Sequence, residues 1–262
     1  VNNTDGTCTA NITNNLSNRN LIINGAMQVA QRGTSSTGDD FTTVDRFRVS
    51  GGGHDEAPTK AQVVLTSSDA GPYEKGFRYA LQITNGNQTS GAGASDYAYI
   101  SYRPEAQDIA QSGWNYNSTS SYLTLSFWVK SSVAQNFYGY ITSEDGTKQS
   151  LAFETGALST NTWKKVTVKM SGNANITVNN DNGAGLDINL WPFLGTDFTA
   201  SGVSLNAWSA FDSAARTPDN TSTWWTTNDA TFAITGVQLE VGSVATDFEH
   251  RSFGDELARC QR

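Results

Sequence analysis

The sequence predicts an all-β protein, and two observations lead to that prediction. Short apolar or alternating stretches recur along the 262 residues, separated by segments rich in Gly, Asn, Ser and Thr. Helical periodicity is almost absent from the chain, and the 37% share of hydrophobic residues is sufficient for a substantial core. Together these features favour a β-sandwich or a barrel of about ten strands.

The predicted strands follow one another at regular intervals. An apolar run at residues 21–23 breaks at the turn signal Asn24-Gly25. Further strands are predicted in the stretches VDRFRVS, AQVVLTSS, RYALQIT, AYISYRP, YLTLSFWVK, NFYGYIT, QSLAFE, WKKVTVKM, LDINLWPF and ATFAITGVQLEV, the last with a kink at Gly236. The sequences EDG at 144–146 and DNG at 181–183 predict turns. No repeat of fixed period occurs, which argues against a β-helix.

The two ends of the chain differ from this pattern. Residues 1–19 are polar and without periodicity, so we expect a lead-in or linker there. The sandwich is predicted to occupy residues 20–253. Residues 254–262, GDELARCQR, have helical composition and are expected to begin a C-terminal helix or a connection to more chain or to sibling subunits.

Charge and composition exclude several classes of partner. The net charge of −8 and the pI near 4.7 disfavour binding to nucleic acid, and the densest basic group, Lys164, Lys165 and Lys169, is spread over both faces of one strand. No apolar run of about 18 residues occurs, so membrane insertion is not expected, and Val1 onward does not resemble a secretory leader. We therefore expect a soluble protein.

Cys8 and Cys260 could form a disulfide, but two unpaired thiols in a reducing cytosol are favoured.

Alternation within three strands places aromatic residues on the side away from the core. In YLTLSFWVK the core side is predicted to carry Leu123, Leu125, Phe127 and Val129. Trp128 then lies on the opposite, polar side. By the same argument Tyr138 and Tyr140 of NFYGYIT lie on a polar side, as does Trp191 of LDINLWPF beside Asp187.

Aromatic rings next to hydroxyls, amides and charges suit the binding of a sugar, because the ring packs on the pyranose C–H face while polar groups read the hydroxyls. The alternative is that a neighbouring subunit or an overlying loop covers this face. A long connection from Ser201 to Thr227 also carries adjacent tryptophans, and we expect one to anchor in the core and the other to be exposed. The candidate glycan-binding residues are Trp128, Tyr138, Tyr140, Trp191, Trp224 and Trp225.

Signatures of catalysis and metal binding are weak. His54 and His250 lack metal-ligand spacing, and no nucleophile elbow, Walker or dinucleotide motif occurs. A glycosidase would need a pair of carboxylates about 5 to 10 Å apart, which the sequence does not identify. We therefore expect no catalytic residues and no metal site.

A family resemblance is carried by both ends of the chain. The stretch NLIINGAMQVAQRG with TTVDRF, and the closing TGVQLEVGSVATDFEHRSFGDELARCQR, resemble a domain common in tail-fibre and other virion structural proteins of tailed bacteriophages, including those of marine bacteria and cyanobacteria. Between them, YLTLSFWVKSS and TWKKVTVKM resemble strands of jelly-roll, galactose-binding-like carbohydrate-binding modules. The resemblance covers roughly residues 20–262.

This resemblance implies a jelly-roll β-sandwich on a homotrimeric virion fibre that contacts other virion proteins and bacterial surface polysaccharide. Localisation in the virion, after assembly in the bacterial cytoplasm, follows from it. Many such modules hold structural calcium through an Asp in the last strand, but Thr235 and Gly236 stand at that place, so we expect no cofactor. The expected function is non-enzymatic adsorption to a host glycan. The alternatives are a structural head-fibre, decoration or tail-assembly component, and a polysaccharide depolymerase.

Overall fold

Two antiparallel sheets of six strands each form the protein, and the computed structural model describes residues 18–261. The strands are β1 Ser35–Ser36, β2 Arg48–Gly52, β3 Thr59–Val64, β4 Tyr79–Thr84, β5 Tyr97–Tyr102, β6 Tyr122–Ser131, β7 Tyr138–Ser143, β8 Gln149–Glu154, β9 Lys164–Ser171, β10 Leu186–Leu194, β11 Trp208–Ala210 and β12 Thr231–Val241. Sheet A has the order β1-β3-β4-β12-β6-β9, and sheet B has the order β11-β8-β7-β10-β5-β2. The predicted all-β jelly-roll sandwich is confirmed. The sequence did not predict the short edge strands β1 and β11.

Helical structure is sparse. Within the described part of the chain, helix α1 spans Ala106–Ala110, helix α2 spans Phe253–Cys260, and a 3-10 turn covers Thr196–Phe198. Within residues 18–261, no helix has both the length and the apolar character needed to cross a bilayer.

The core lies between the sheets, where the alternation in β6 places it. Leu123, Leu125, Phe127 and Val129 have no solvent exposure, as the alternation predicted. Phe127 faces Phe153 of sheet B with the ring centroids 6.3 Å apart. The intervening residues of β6, Trp128 among them, therefore point away from the core, onto the outer face of sheet A.

Strand β12 changes partner at a bulge around Gly236, where the kink was predicted. Its first half pairs with β4, but beyond the bulge the same edge receives the N-terminal segment. The Leu21 amide donates to the Leu239 carbonyl at 2.8 Å, and the Val237 amide donates to the Gly25 carbonyl at 2.9 Å. The approach at Gly25 is close, since an added Cβ would lie 2.0 Å from the Val237 oxygen. Only glycine fits there without a shift of the backbone.

A buried ionic cluster holds the two terminal segments together. The guanidinium of Arg251 donates to the carbonyl oxygens of Asn20 and Ile22 and to the carboxylates of Glu249 and Glu256. The Arg251 side chain is 8% exposed, and the two carboxylates are 11% and 5% exposed. Because each charge has an opposite charge and further hydrogen bonds, this arrangement meets the conditions under which buried ions are tolerated.

Helix α2 contributes to the same ionic cluster through Glu256. Ser252 caps its N-terminus, where Oγ accepts the Asp255 amide at 3.2 Å. One turn into the helix, the buried Glu256 carboxylate accepts the amide of Asn24. The predicted helical segment therefore exists and packs back on the N-terminal segment. Its continuation into more chain, and the division at residues 19 and 253, stay predictions.

The thiol of Cys260 is unpaired within the described residues. Burial raises the pKa of this thiol to about 12, and the nearby carboxylates of Asp45 and Glu256 add to the effect. Cys8 lies outside the described residues, as do residues 1–17 of the predicted lead-in.

Candidate functional site

The outer face of sheet B carries a row of polar and aromatic side chains across four strands. Asn189 at the centre of β10 pairs with Ser101 of β5 on one side and with Tyr140 of β7 on the other. Arg48 of β2 pairs with Ser101 and extends the row toward the sheet edge. Since paired residues in a sheet point to the same side, these side chains form one continuous surface.

An aromatic cluster includes Tyr140 of this row and extends toward Trp191, two residues after Asn189 in β10. The rings of Tyr140 and Trp191 are stacked, with centroids 5.8 Å apart and an interplanar angle of 20°. Tyr99 lies 4.8 Å from Trp191, and Tyr97 lies 6.0 Å from Tyr99. Trp191 and Tyr140 are buried at the base of the cluster, whereas Tyr97, Tyr99 and the neighbouring Tyr138 are half-buried. The half-buried rings offer apolar surface to a ligand.

Charged residues lie on the other side of the Asn189 row from the aromatic cluster. The Nε and Nη2 atoms of Arg103 each lie 2.8 Å from Oδ2 of Asp187. Asp187 is adjacent to Thr142 in the β7 register, and Thr142 donates to Glu144 at 2.7 Å. Both carboxylates have a cation beside them, because Lys148 pairs with Glu144 at 2.6 Å.

Three buried polar atoms on this face have neither a hydrogen-bond partner within 3.5 Å nor an ion-pair partner among the described residues. They are Oδ1 of Asp187, Oγ of Ser101 and Nε1 of Trp191. Their residues are 7%, 2% and 4% exposed, respectively. Such atoms are rare in native proteins, since each unmet group costs about 1 to 3 kcal/mol. Their concentration on one face indicates a surface that satisfies them with water or with a ligand.

Burial also shifts the pKa values of three titratable side chains on this face. Burial raises the pKa of Asp187, and the adjacent Arg103 guanidinium opposes the rise. Burial raises the pKa of Tyr140 to about 12 and raises that of Tyr99. Both phenols therefore stay neutral at physiological pH and can donate as well as accept hydrogen bonds.

The connection between β10 and β12 covers part of this face. Phe198 and Phe211 pack against the aromatic cluster. The guanidinium of Arg216 lies 4.6 Å from the ring centre of Phe198 and 5.9 Å from that of Trp191. The alternative of an overlying loop is thus correct for Trp191 and Tyr140. The cover also reaches Tyr97 of β5, whose ring lies edge-on to that of Phe198 with the centroids 6.0 Å apart, but Tyr97 and Tyr99 both remain half-buried.

Trp128 lies apart from this cluster, on the outer face of sheet A. It is half-buried and faces a groove of about 680 Å³. The backbone at Gly71 passes close to the indole, because an added Cβ there would lie 2.7 Å from the ring. The structure therefore separates Trp128 from Tyr138, Tyr140 and Trp191.

The expectation that one of Trp224 and Trp225 is exposed is wrong, since both have no solvent exposure. The segment is a turn and not an extended strand, so adjacent side chains need not point to opposite sides. Trp225 packs 4.9 Å from Phe193 and donates from Nε1 to the Gly91 carbonyl at 3.0 Å. Neither indole presents a surface on which a sugar could stack.

Sequence reasoning missed the residues that β5 and the position directly after it contribute. Tyr97, Tyr99, Ser101 and Arg103 alternate with the apolar Ala98 and Ile100. The same period of two that placed Trp128 outside the core applies to AYISYRP and to Tyr97 directly before it, and would have identified them. The covering segment at Phe198 and Arg216 had no comparable signal.

No group of three His, Cys, Asp or Glu residues within 18–261 has a geometry that could hold a metal ion. At the position considered for calcium, the buried Thr235 hydroxyl donates to the Tyr79 carbonyl at 2.7 Å.

Comparison of the sequence with protein families and with curated proteins gives no match. Among solved structures, the chain is similar to the enzymatically active domain of tailspike protein 4 of bacteriophage CBA120, with 12% identity and a TM-score of 0.42. That match covers 86% of this chain but only 22% of the tailspike chain. A putative sugar-binding protein from Bacteroides thetaiotaomicron matches with 14% identity and a TM-score of 0.40, over 85% of this chain and 100% of that one. The N-terminal cellulose-binding domain of Cellulomonas fimi β-1,4-glucanase C matches with 11% identity and a TM-score of 0.37, over 83% of this chain and 99% of that one. The fold assigned above rests on the strand pairing itself.

Proposed function

We propose that the protein binds carbohydrate, without catalysis, through the outer face of sheet B. The observation that carries this proposal is the cluster of three unpaired buried polar atoms on Asp187, Ser101 and Trp191, next to half-buried tyrosines. A sugar presents apolar C–H faces and hydroxyl groups that both donate and accept. It therefore matches a surface in which aromatic rings and unmet donors and acceptors alternate.

We assign a different role in binding to each group of residues on this face. The half-buried rings of Tyr97 and Tyr99 supply the stacking surface. Asp187 and Arg103 supply charged hydrogen-bonding groups, which bond more strongly to hydroxyls than neutral groups do. Arg216, above Trp191, limits how deeply a ligand penetrates. A shallow site of this kind fits the side of a polysaccharide chain better than an isolated small molecule.

The biological setting we propose is a homotrimeric fibre of a tailed-bacteriophage virion that adsorbs to bacterial surface polysaccharide. Support comes from the end motifs that resemble phage virion proteins. In the structure these motifs are in contact, because the N-terminal segment pairs with β12 at Leu21 and Leu239. Three sites on one fibre would raise the strength of attachment without new contacts.

A second candidate is a structural virion component whose apolar surface binds other proteins. Three large apolar side chains near the C-terminal end are exposed: Val241 at 41%, Val244 at 72% and Phe253 at 56%. Exposed apolar side chains of this size are available to a protein partner.

Binding of the fluorescently labelled full chain to an array of bacterial surface polysaccharides tests the proposal. Staining of bacterial cells before and after periodate oxidation gives a second measurement. We expect periodate-sensitive binding that Tyr99→Ala abolishes and that Tyr122→Ala, a half-buried tyrosine on sheet A, leaves intact. Absence of array binding by a folded oligomer would favour the structural component. Release of reducing ends would contradict a non-enzymatic role.

A further inference from the structure

A second concave site lies on the opposite side of the sandwich, and we call it the Trp128 groove. Its floor is the outer face of sheet A at Trp128 and Ser126, and its walls are the segments 74–77 and 247–250. The volume of about 680 Å³ falls within the range of small-molecule and sugar sites, which is about 300 to 1,000 Å³.

Specific bonds hold both walls in place, so the groove is formed before any ligand arrives. The Asp69 carboxylate accepts Lys130 at 2.6 Å and the Trp163 indole N–H at 2.9 Å, which fastens the first wall to sheet A. A bond of 2.8 Å between His250 Nε2 and the Lys75 carbonyl joins the two walls. A preformed site avoids the entropic cost of ordering its walls on binding.

Aromatic rings line the groove on two sides. Trp128 is half-buried on the floor. On the other side Phe248 packs edge-on against Phe77 with centroids 4.8 Å apart, and His250 lies 4.9 Å from Phe248. A ligand with two apolar faces can contact the indole and this second aromatic wall together.

The charges around the groove cancel. Lys75 and Lys165 supply two positive charges, and Glu74 and Asp247 supply two negative charges. A phosphate or polyanion site would carry an excess of positive charge, and an amine site an excess of negative charge. Balanced donors and acceptors around an aromatic floor match a neutral ligand with many hydroxyl groups.

We propose that the Trp128 groove is a second carbohydrate site, which takes a neutral hexopyranose residue with its C–H face on Trp128 and its hydroxyls on Lys165 and Asp247. The site is independent of the face on sheet B. Stacked sheets lie about 10 Å apart, and the two sites are on their outer sides, so one sugar residue cannot reach both. Each domain would therefore hold two glycan segments.

The indole N–H signals of the full-length chain in a ¹H–¹⁵N NMR spectrum test this inference, because the seven tryptophans report separately. The signal of Trp128 is assigned by its loss in Trp128→Phe, which keeps an aromatic floor. We expect saturable shifts of this signal on titration with the methyl glycosides of glucose, galactose or mannose at millimolar concentration. The signal of Trp208, which lies outside both sites, should not move.

A matched pair of lysines tests the polar contacts. Lys165 lies in the groove, whereas Lys169 is on the same face of β9 outside it. We expect Lys165→Ala to weaken the binding that shifts Trp128 by roughly tenfold and Lys169→Ala to leave it unchanged.

The outcomes of the NMR titration distinguish the Trp128 groove from the site on sheet B. Movement of the Trp191 signal without that of Trp128 would overturn the groove as a sugar site and leave the proposed function standing. Movement of the Trp128 signal alone would support the groove and contradict sheet B as the site for that sugar. A saturable shift of Trp128 with sodium phosphate, and none with the glycosides, would overturn the assignment of a neutral ligand.

Discussion

The side chain of Asn20 bonds to the backbone of Leu239, although 219 positions separate the two residues. Asn20 Oδ1 accepts the Leu239 amide at 3.0 Å and also the Ile22 amide at 3.0 Å, while Nδ2 donates to the Val237 carbonyl at 3.2 Å. Because β12 leaves β4 at its bulge, these bonds replace the ladder that a neighbouring strand would provide.

Asn20→Ala should therefore destabilise the whole domain. It leaves buried amides at Ile22 and Leu239 without their acceptor, for which we expect a loss of about 2 to 4 kcal/mol in the free energy of unfolding. Urea denaturation measures the change. Asn117→Ala, at an exposed turn, is the control and should stay within about 0.5 kcal/mol of the wild type. Equal stability of both variants would contradict the role of Asn20.

The attachment of loop 66–77, between β3 and β4, to Lys130 of sheet A and to Trp163 should weaken at low pH. Burial opposes ionisation of Asp69, but hydrogen bonds from Lys130, the Thr66 amide and Trp163 outweigh it and lower its pKa to about 2. A carboxylate whose pKa is lower in the folded state stabilises the fold above pH 3.8, and that contribution is lost as the pH falls toward 2.

The contribution is no more than about 2 kcal/mol, because the side chain retains some contact with water. We expect Asp69→Asn to lower the melting temperature at neutral pH and to approach the wild type near pH 2. Asp181→Asn, at an exposed position, serves as the comparison. A difference between Asp69→Asn and wild type that is independent of pH would be inconsistent with this account.

Trp225 should behave as a core residue. Trp225→Ala removes a fully buried indole beside Phe193, and we expect a loss of about 3 to 5 kcal/mol in the free energy of unfolding. Trp208→Ala, at a half-buried position, should cost less. Thermal and urea unfolding test this expectation. A Trp225→Ala protein of wild-type stability that lost only glycan binding would show that this residue belongs to the ligand site.

The bulge at Gly236 requires glycine for two reasons, which can be separated. Gly236 has a φ of +63°, and an added Cβ would lie 2.6 Å from the Phe77 ring. Gly202 has a φ of +86°, with no atom of residues 18–261 within 4 Å of such a Cβ. Both alanine variants bear the backbone strain, of about 1 kcal/mol, but only Gly236→Ala also collides with a buried ring. We expect Gly236→Ala to be clearly less stable in urea, and equal losses would exclude a part for Phe77.

Asp187→Asn should separate binding from stability. Burial raises the pKa of this carboxyl, so the folded state favours the protonated form and stability falls as the pH rises from 3.8 through the folded pKa. Removal of the charge should therefore leave the melting temperature at neutral pH unchanged or higher. The affinity for glycan should fall by roughly tenfold, because a neutral amide replaces a charged acceptor. Asp229→Asn, exposed and remote, is the control; unchanged affinity of Asp187→Asn would remove Asp187 from the site.

Local pattern was sufficient for much of the fold. The alternation in YLTLSFWVK identified the buried side of β6 and the outward direction of Trp128, since successive residues of any strand point to opposite faces. Gly236 within ATFAITGVQLEV predicted the irregularity at which β12 bends. The same argument put Tyr138, Tyr140 and Trp191 on an outer face, and it would have found Tyr99 had it been applied to β5.

Tertiary structure alone decided which parts of those faces are covered and where Trp224 and Trp225 lie. The cover over Trp191 comes from Phe198 and Arg216, in a connection without regular periodicity, so no local pattern reports its path. The pairing of Asn20 with Leu239 likewise joins segments that only the folded chain brings together. Strand alternation is a property of neighbouring residues, whereas burial of an outer face depends on contacts between distant ones. For that reason the sequence determined the sandwich and its faces, and the folded chain determined which of them a ligand can reach.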